Sequence, residues 1–204
     1  MKYYFDPFNS RNNVKKTVIA ALLSTFVAGS AMADDAGKFY LAIDYGSVSF
    51  SNGNPGGTEF ASPSSLRFAG GYRLSPVVAL EVGYVAMADS TLANPAASVT
   101  SANSAIQAAI VGTYAVSEAI DLFGKLGIST NTNKLTGTGT VAGLNSSNTS
   151  TDFMYGIGAQ YNINPQWAIR GQYENLGKHT TSSNLNNAWK VGMTQSSLGV
   201  VRKL

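Results

Sequence analysis

From about residue 37 to the C-terminus the chain follows one rule. Apolar residues alternate with small or polar ones, the period-two pattern of a β-strand with two unlike faces. In 65–74, Leu66, Phe68, Tyr72 and Leu74 share one face, and Arg67, Ala69, Gly71 and Arg73 share the other. In 77–87, Val78, Leu80, Val82 and Tyr84 oppose Ala79, Glu81, Gly83 and Val85. The same division sets Phe39, Leu41, Ile43 and Tyr45 against Tyr40, Ala42, Asp44 and Gly46. It sets Ile106, Ile110 and Tyr114 against Gln107, Ala109 and Thr113, and Leu122, Leu126 and Ile128 against Phe123, Lys125 and Gly127. Phe153, Tyr155, Ile157 and Tyr161 oppose Met154, Gly156, Gly158 and Gln160; Trp167, Ile169 and Tyr173 oppose Arg170, Gln172 and Glu174. In the last strand Trp189, Val191 and Met193 are out of phase with Leu198, Val200 and Leu204, which predicts a bulge or register shift there.

Three compact turns, Leu74-Ser75-Pro76, Val116-Ser117-Glu118 and Ile163-Asn164-Pro165, each sit between two alternating segments. Between these hairpins lie longer excursions rich in Ser, Thr, Asn and Gly, at 51–64, 88–104, 130–151 and 175–188. Short turns therefore alternate with long loops, and the pattern predicts eight antiparallel strands.

The aromatic residues decide which solvent each face meets. All eight tyrosines beyond residue 33 fall in strands, seven of them on the apolar face. Tyr72, Tyr114, Tyr161 and Trp167 group near the short turns; Tyr45, Tyr84, Tyr155 and Tyr173 group near the long-loop ends. Two aromatic bands with aliphatic residues between them match the two polar–apolar boundaries of a bilayer. The apolar face is then the lipid face, and the small and charged face looks inward. A sheet edge in lipid leaves backbone groups unpaired, so the sheet must close into a barrel. Eight strands enclose a lumen that side chains can fill.

Composition agrees. Only 12% of residues are charged, about half the usual share of a soluble domain. There is no Cys, which removes disulfides and thiolate metal sites. The net charge of +3 resides in residues 1–33, where Lys2, Arg11, Lys15 and Lys16 face only Asp6. The rest is neutral, so no nucleic-acid partner is expected. Lys15-Lys16, the apolar run from Val18 to Ala28, and Ala31-Met32-Ala33 form a secretory signal peptide over 1–33, with the barrel domain at 34–204. Residues 1–13 precede what reads as a complete leader starting at Val14, and are expected to be a misplaced start.

The stretches FYLAIDYG, GYRLSPVVALEVGY, LFGKLG, YGIGAQYNINPQWAIRGQY and SLGVVRKL resemble the small OmpA-like outer-membrane barrels, which include opacity-type surface antigens. The resemblance spans 37–204. It implies an eight-stranded up-and-down transmembrane β-barrel in the bacterial outer membrane, with short periplasmic turns and long extracellular loops. It further implies a monomer surrounded by outer-membrane lipid and lipopolysaccharide, inserted by the barrel-assembly machinery, whose loops meet a host or environmental ligand. No peptidoglycan-binding domain is expected after the barrel. One departure is the C-terminus: members usually end in an aromatic residue with another two positions earlier, where this chain has Leu204 and Arg202.

The inward ionisable residues are Asp44, Arg67, Arg73, Glu81, Lys125, Arg170 and Glu174. Buried charges must pair, so they are expected to form an ion-pair network plugging the lumen. The resemblance likewise implies such networks inside barrels of this size. The alternative is a polar path for ions or small solutes. A third reading, lipid A modification, needs a His-x-Ser pair; His179, the sole histidine, is followed two residues on by Thr181. His179 is read as a loop residue, and the Asp–His set of an omptin-type protease is absent. Gly137–Gly143 lacks the strand-and-helix setting of a dinucleotide loop, and the Asn145 and Asn148 triplets carry no weight in a bacterium. No enzyme activity, metal or cofactor is expected. The function read is structural or in surface interaction.

Overall fold

The computed structural model describes residues 38–52, 62–94, 96–143, 145–181 and 189–204; the leader, and with it the reading of 1–33, lies outside them. The strands are β1 (Phe39–Asn52), β2 (Ser64–Ser75), β3 (Val78–Met87), β4 (Ser90–Asn94), β5 (Ala97–Ala115), β6 (Ile120–Gly139), β7 (Asn145–Asn162), β8 (Trp167–Thr181) and β9 (Trp189–Lys203). All pairings are antiparallel in the order β3-β2-β1-β9-β8-β7-β6-β5, and β3 pairs with β5 to close the ring. β4 is the outer continuation of β3, so nine segments make an eight-stranded barrel.

The three short turns share one local device. Ser75 Oγ accepts from the Val78 amide at 3.1 Å, and Ser117 Oγ from the Ile120 amide at 3.1 Å. Asn164 Oδ1 accepts from the Gln166 and Trp167 amides at 2.9 and 2.8 Å. In each, a side-chain oxygen takes amides that the reversing backbone leaves unpaired.

The faces follow the parity of the sequence. Thirty large apolar or aromatic side chains point outward and exposed among the described residues, including Leu41, Ile43, Val82, Ile106, Ile157 and Leu198. The inward face holds Asp44, Arg67, Glu81, Lys125 and Glu174, all at most 2% exposed. This arrangement is stable only with an apolar solvent outside.

Much of what the sequence pattern marks as long loop is strand. The excursions 88–104 and 130–151 are mostly the outer halves of β4, β5, β6 and β7. The β5–β6 register runs unbroken from Ala115↔Asp121 to Ala97↔Gly139, and β6–β7 from Ile120↔Tyr161 to Thr136↔Asn145. From Ala105↔Asn131 outward this ribbon extends about 27 Å along the strands, at roughly 3.4 Å per residue. Both of its faces are polar, so apolar alternation gives no signal, but its many threonines suit a strand. Gly137–Gly139 ends β6, with Gly139 at φ 68°, and 140–143 form the turn.

The expected irregularity near the C-terminus also moves. β9 pairs with β1 without a break, and Met193 is an inward residue in phase with inward Val201. The extra residue belongs to β8, between Asn175 and Lys178, with Gly177 at φ 90°. A second offset separates β3 from β4, between Ala86↔Ser104 and Ser90↔Ser101. These bulges flank the β4–β7 ribbon, and beyond Tyr155↔Asn175 β7 has no pairing with β8. The ribbon thus rises from the rim as a separate four-stranded sheet.

Hydrogen–deuterium exchange on the reconstituted protein should find the amides of 98–103 and 131–136 slow, on the scale of the barrel strands. Exchange as fast as in a free peptide would return these segments to loops.

Candidate functional site

Six charges meet across the middle of the lumen. Asp44 comes from β1, Arg67 from β2, Glu81 from β3, Lys125 from β6, and Arg170 and Glu174 from β8. Glu81 is the hub: its carboxylate accepts from Arg67 Nη2, Lys125 Nζ (2.8 Å), Arg170 Nη1 (2.9 Å) and the Tyr40 hydroxyl (2.9 Å). Arg170 grips Asp44 with two nitrogens, at 2.8 and 2.7 Å, the fork geometry that favours a guanidinium. Arg67 uses all three nitrogens, donating to Gln107 Oε1 (2.8 Å), Asp44 Oδ2 (2.8 Å) and Glu81. Lys125 likewise spends its three donors on Glu81, Gln172 Oε1 (2.6 Å) and Glu174 Oε1 (3.1 Å). Three cations thus match three anions, and Gln107 and Gln172 each lend an acceptor oxygen, while Gln107 Nε2 has no hydrogen-bond partner.

Glycines make room for these groups. Gly199 lies directly opposite Asp44, Gly71 opposite Tyr40, Gly156 opposite Glu174 and Gly158 opposite Phe123. A Cβ at Gly199 would collide with the Asp44 carboxylate, and one at Gly158 with the Phe123 ring. β7, with Gly156 and Gly158 at this level, sends no charge inward and leaves the space to β6 and β8.

Apolar layers lie on both sides of the cluster. Toward the short turns, Val111, Phe123, Ala168 and Val201 pack together with Tyr40 and Ala42. Toward the ribbon, Val48, Val85, Met87, Ala105, Leu176 and Met193 form a second packed layer. Between that layer and the charges sit uncharged polar groups, including Gln195, which donates to Ser65 Oγ at 2.9 Å.

All seven residues expected to be inward and ionisable are buried, but they do not form one group. Arg73 lies nearer the short turns, where it donates to the Pro76 carbonyl at 3.3 Å. It lines a small cavity with Thr113, Gln160 and Asp121. Asp121 is an inward charge that the expected set omits, although it shares the parity of Phe123 and Lys125; its position at the very start of β6 hid it. With it the buried charges among the described residues balance at four and four, in place of the four basic and three acidic expected. Asp121 Oδ2 accepts from Asn162 at 2.8 Å, and Oδ1 has no hydrogen-bond partner. His179, expected in a loop, has its backbone in β8 opposite Val191. Among the described residues no group of His, Cys, Asp and Glu could hold a metal.

The family model described as "Outer membrane protein beta-barrel domain" matches residues 18–203. The chain belongs to the outer-membrane β-barrel family. No curated protein matches it at the sequence level. Among solved structures it is similar to Ail, the attachment invasion locus protein of Yersinia pestis, in a complex with the heparin analogue sucrose octasulfate. That likeness has 18% identity, covers 83% of this chain and 99% of Ail, and gives a TM-score of 0.59. It is similar to Neisserial surface protein A at 19% identity, covering 81% of this chain and 97% of that one, with a TM-score of 0.61. OprG from Pseudomonas aeruginosa follows at 14% identity, 86% and 99% coverage, and a TM-score of 0.51. Identities this low establish the shared fold and nothing finer.

In this outer-membrane barrel the exposed aliphatic face is the lipid face. Tyr45, Tyr72, Tyr84, Tyr114, Tyr155, Tyr161, Trp167 and Tyr173 are all outward and exposed. At the C-terminus Arg202, where an aromatic residue was expected, lies 5.3 Å from the Trp167 ring centroid, and the Leu204 amide donates to Phe39 O at 2.9 Å.

Removing the hub should leave three buried cations facing too few anions. Glu81→Ala is expected to lower the unfolding free energy in vesicles by about 3–5 kcal/mol, read from urea titration. A loss below about 1 kcal/mol would mean that the cluster does not depend on Glu81.

Proposed function

We propose that this outer-membrane protein is a non-conducting barrel, exported by a cleaved signal peptide, that serves a structural and surface-contact role. Its short turns face the periplasm and its long hairpins face outward. The observation that carries the closed lumen is the three-cation, three-anion cluster covered on its outer side by a packed apolar layer; on the short-turn side a small cavity walled by Tyr40, Val111, Phe123 and Val201 reaches Arg170. An ion crossing the lumen would have to displace at least one paired charge and shed water in the outer apolar layer, and apolar constrictions resist wetting.

The contact role rests on the ribbon. A four-stranded sheet standing above the rim offers a rigid surface where a flexible loop would need ordering before it could bind. Its described residues carry Lys134 against Asp89 and Asp152, so it lacks the basic cluster that would hold a sulfated polysaccharide.

The runner-up is a narrow channel. The cavity that joins Arg73, Thr113, Gln160 and the unpartnered oxygen of Asp121 favours it, because it gives the short-turn end a polar vestibule. Planar-bilayer recording separates the two. The unmodified protein should give no discrete conductance steps. Glu81→Ala combined with Leu176→Ser and Met193→Ser, which opens the cluster and the outer apolar layer, should give them. Regular steps from the unmodified protein would establish the channel.

A further inference from the structure

The unbroken registers of β5–β6 and β6–β7 carry parity from the barrel wall to the tip of the ribbon. The face that presents Ile106, Ile128 and Phe153 to lipid is therefore the face that continues outward above it. Within one pleat its chemistry changes completely. Above Ile106 come Ser104, Ala102, Thr100 and Ser98; above Ile128 come Thr130, Thr132, Lys134, Thr136 and Thr138; above Phe153 come Thr151, Thr149, Ser147 and Asn145. Of these residues, only Lys134 is charged. The hydroxyls meet in cross-strand pairs: Thr130 with Thr151 at 2.9 Å, Thr132 with Thr149 at 3.2 Å, and Ser98 with Thr138 at 2.7 Å.

We infer that this outward hydroxyl face is a docking surface for the saccharide chains of lipopolysaccharide molecules standing beside the barrel in the same leaflet. Two observations fix the occupant. First, the face is continuous with the lipid-facing wall, so it looks sideways into the layer directly above the acyl chains. In the outer leaflet the phosphorylated lipid A headgroups occupy the base of that layer, and core sugars fill the rest of the ribbon's height. Second, the hydrogen-bonding character fits. Each hydroxyl pair consumes one donor, leaving the second O–H and spare lone pairs for an outside partner. Sugar hydroxyls are donors and acceptors too, and they match such a grid where phosphates would call for cations. Neighbouring strands about 4.8 Å apart and alternate residues about 7 Å apart give the grid its spacing. The inference rests on the surface-contact role proposed above and gives that role a lateral partner.

The test is hydrogen–deuterium exchange of 130–136 and 145–151 in three membranes: phospholipid alone, deep-rough lipopolysaccharide without outer core sugars, and rough lipopolysaccharide with a complete core. The complete core should slow exchange in these segments roughly tenfold over phospholipid, and the deep-rough form much less. Thr130→Val, Thr132→Val, Thr149→Val and Thr151→Val combined keep β-branched strand formers and remove the hydroxyls; this variant should lose the slowing. Ser146→Ala with Ser150→Ala, on the opposite face of β7, should retain it. Equal slowing by deep-rough lipopolysaccharide, or slowing that survives the valine variant, would overturn the inference in favour of headgroup contact. No slowing at all would also overturn it. Heat-dependent gel mobility confirms that each variant is a closed barrel, and bilayer recording of the same samples tests the closed lumen separately.

Discussion

A carboxylate enclosed by a lipid-facing barrel has no bulk water to ionise against, and that constraint organises the lumen. Glu81 is tolerated because four donors from four different strands reach it. Those donors in turn need further acceptors: Arg67 and Arg170 converge on Asp44, and Lys125 reaches Glu174. The cluster closes on itself when each nitrogen of Arg67 and each donor of Lys125 is used. Ring closure of the sheet and satisfaction of the charges are therefore one problem. The hydrogen-bonded barrel wall sets the strands so that these side chains can meet, and the side chains hold seven of the eight barrel strands across the lumen, counting Gln107 on β5 and Ser197 on β9, which accepts from Gln172. The glycines opposite Asp44, Glu174, Tyr40 and Phe123 belong to the same solution, since a Cβ at any of them would collide with the side chain it faces.

The barrel was legible in the sequence because lipid on one side and a packed lumen on the other impose strict alternation. A single parity error would have put Arg67 or Glu81 into hydrocarbon. That gave the strand number, the faces, the three short turns and the inward position of Asp44, Arg67, Arg73, Glu81, Lys125, Arg170 and Glu174. Alternation carries no information where both faces are wet, and there the reading failed. The outer halves of β5, β6 and β7 looked like loops because Ser, Thr and Asn fill both faces. Pairing partners were also out of reach. Nothing in the chain order says that Lys125 meets Glu81 and Glu174, or that Tyr40 donates to Glu81, since these depend on the register between strands distant in sequence. The bulge was misplaced for a related reason. An inward Met193 broke the apolar phase of β9, whereas the signal lay in Leu176-Gly177, where an inward Leu precedes a residue at positive φ.

The two bulges give the molecule its division of labour. Without them β3 and β8 would continue upward in register, and the whole barrel would extend as a tube beyond the membrane. One extra residue between Ala86 and Ser90, and one between Asn175 and Lys178, end the pairing of β3 with β2 and of β8 with β7 at the rim. Asn131 Nδ2 then donates to Leu176 O at 3.1 Å, taking up a carbonyl at the β8 bulge. Leu176 itself turns into the outer apolar layer beside Met87 and Met193. The same residues that release the ribbon therefore also help to cap the lumen. Closure of the barrel and display of an asymmetric polar sheet are thus built from a single local irregularity on each side, and a change at either bulge would act on both.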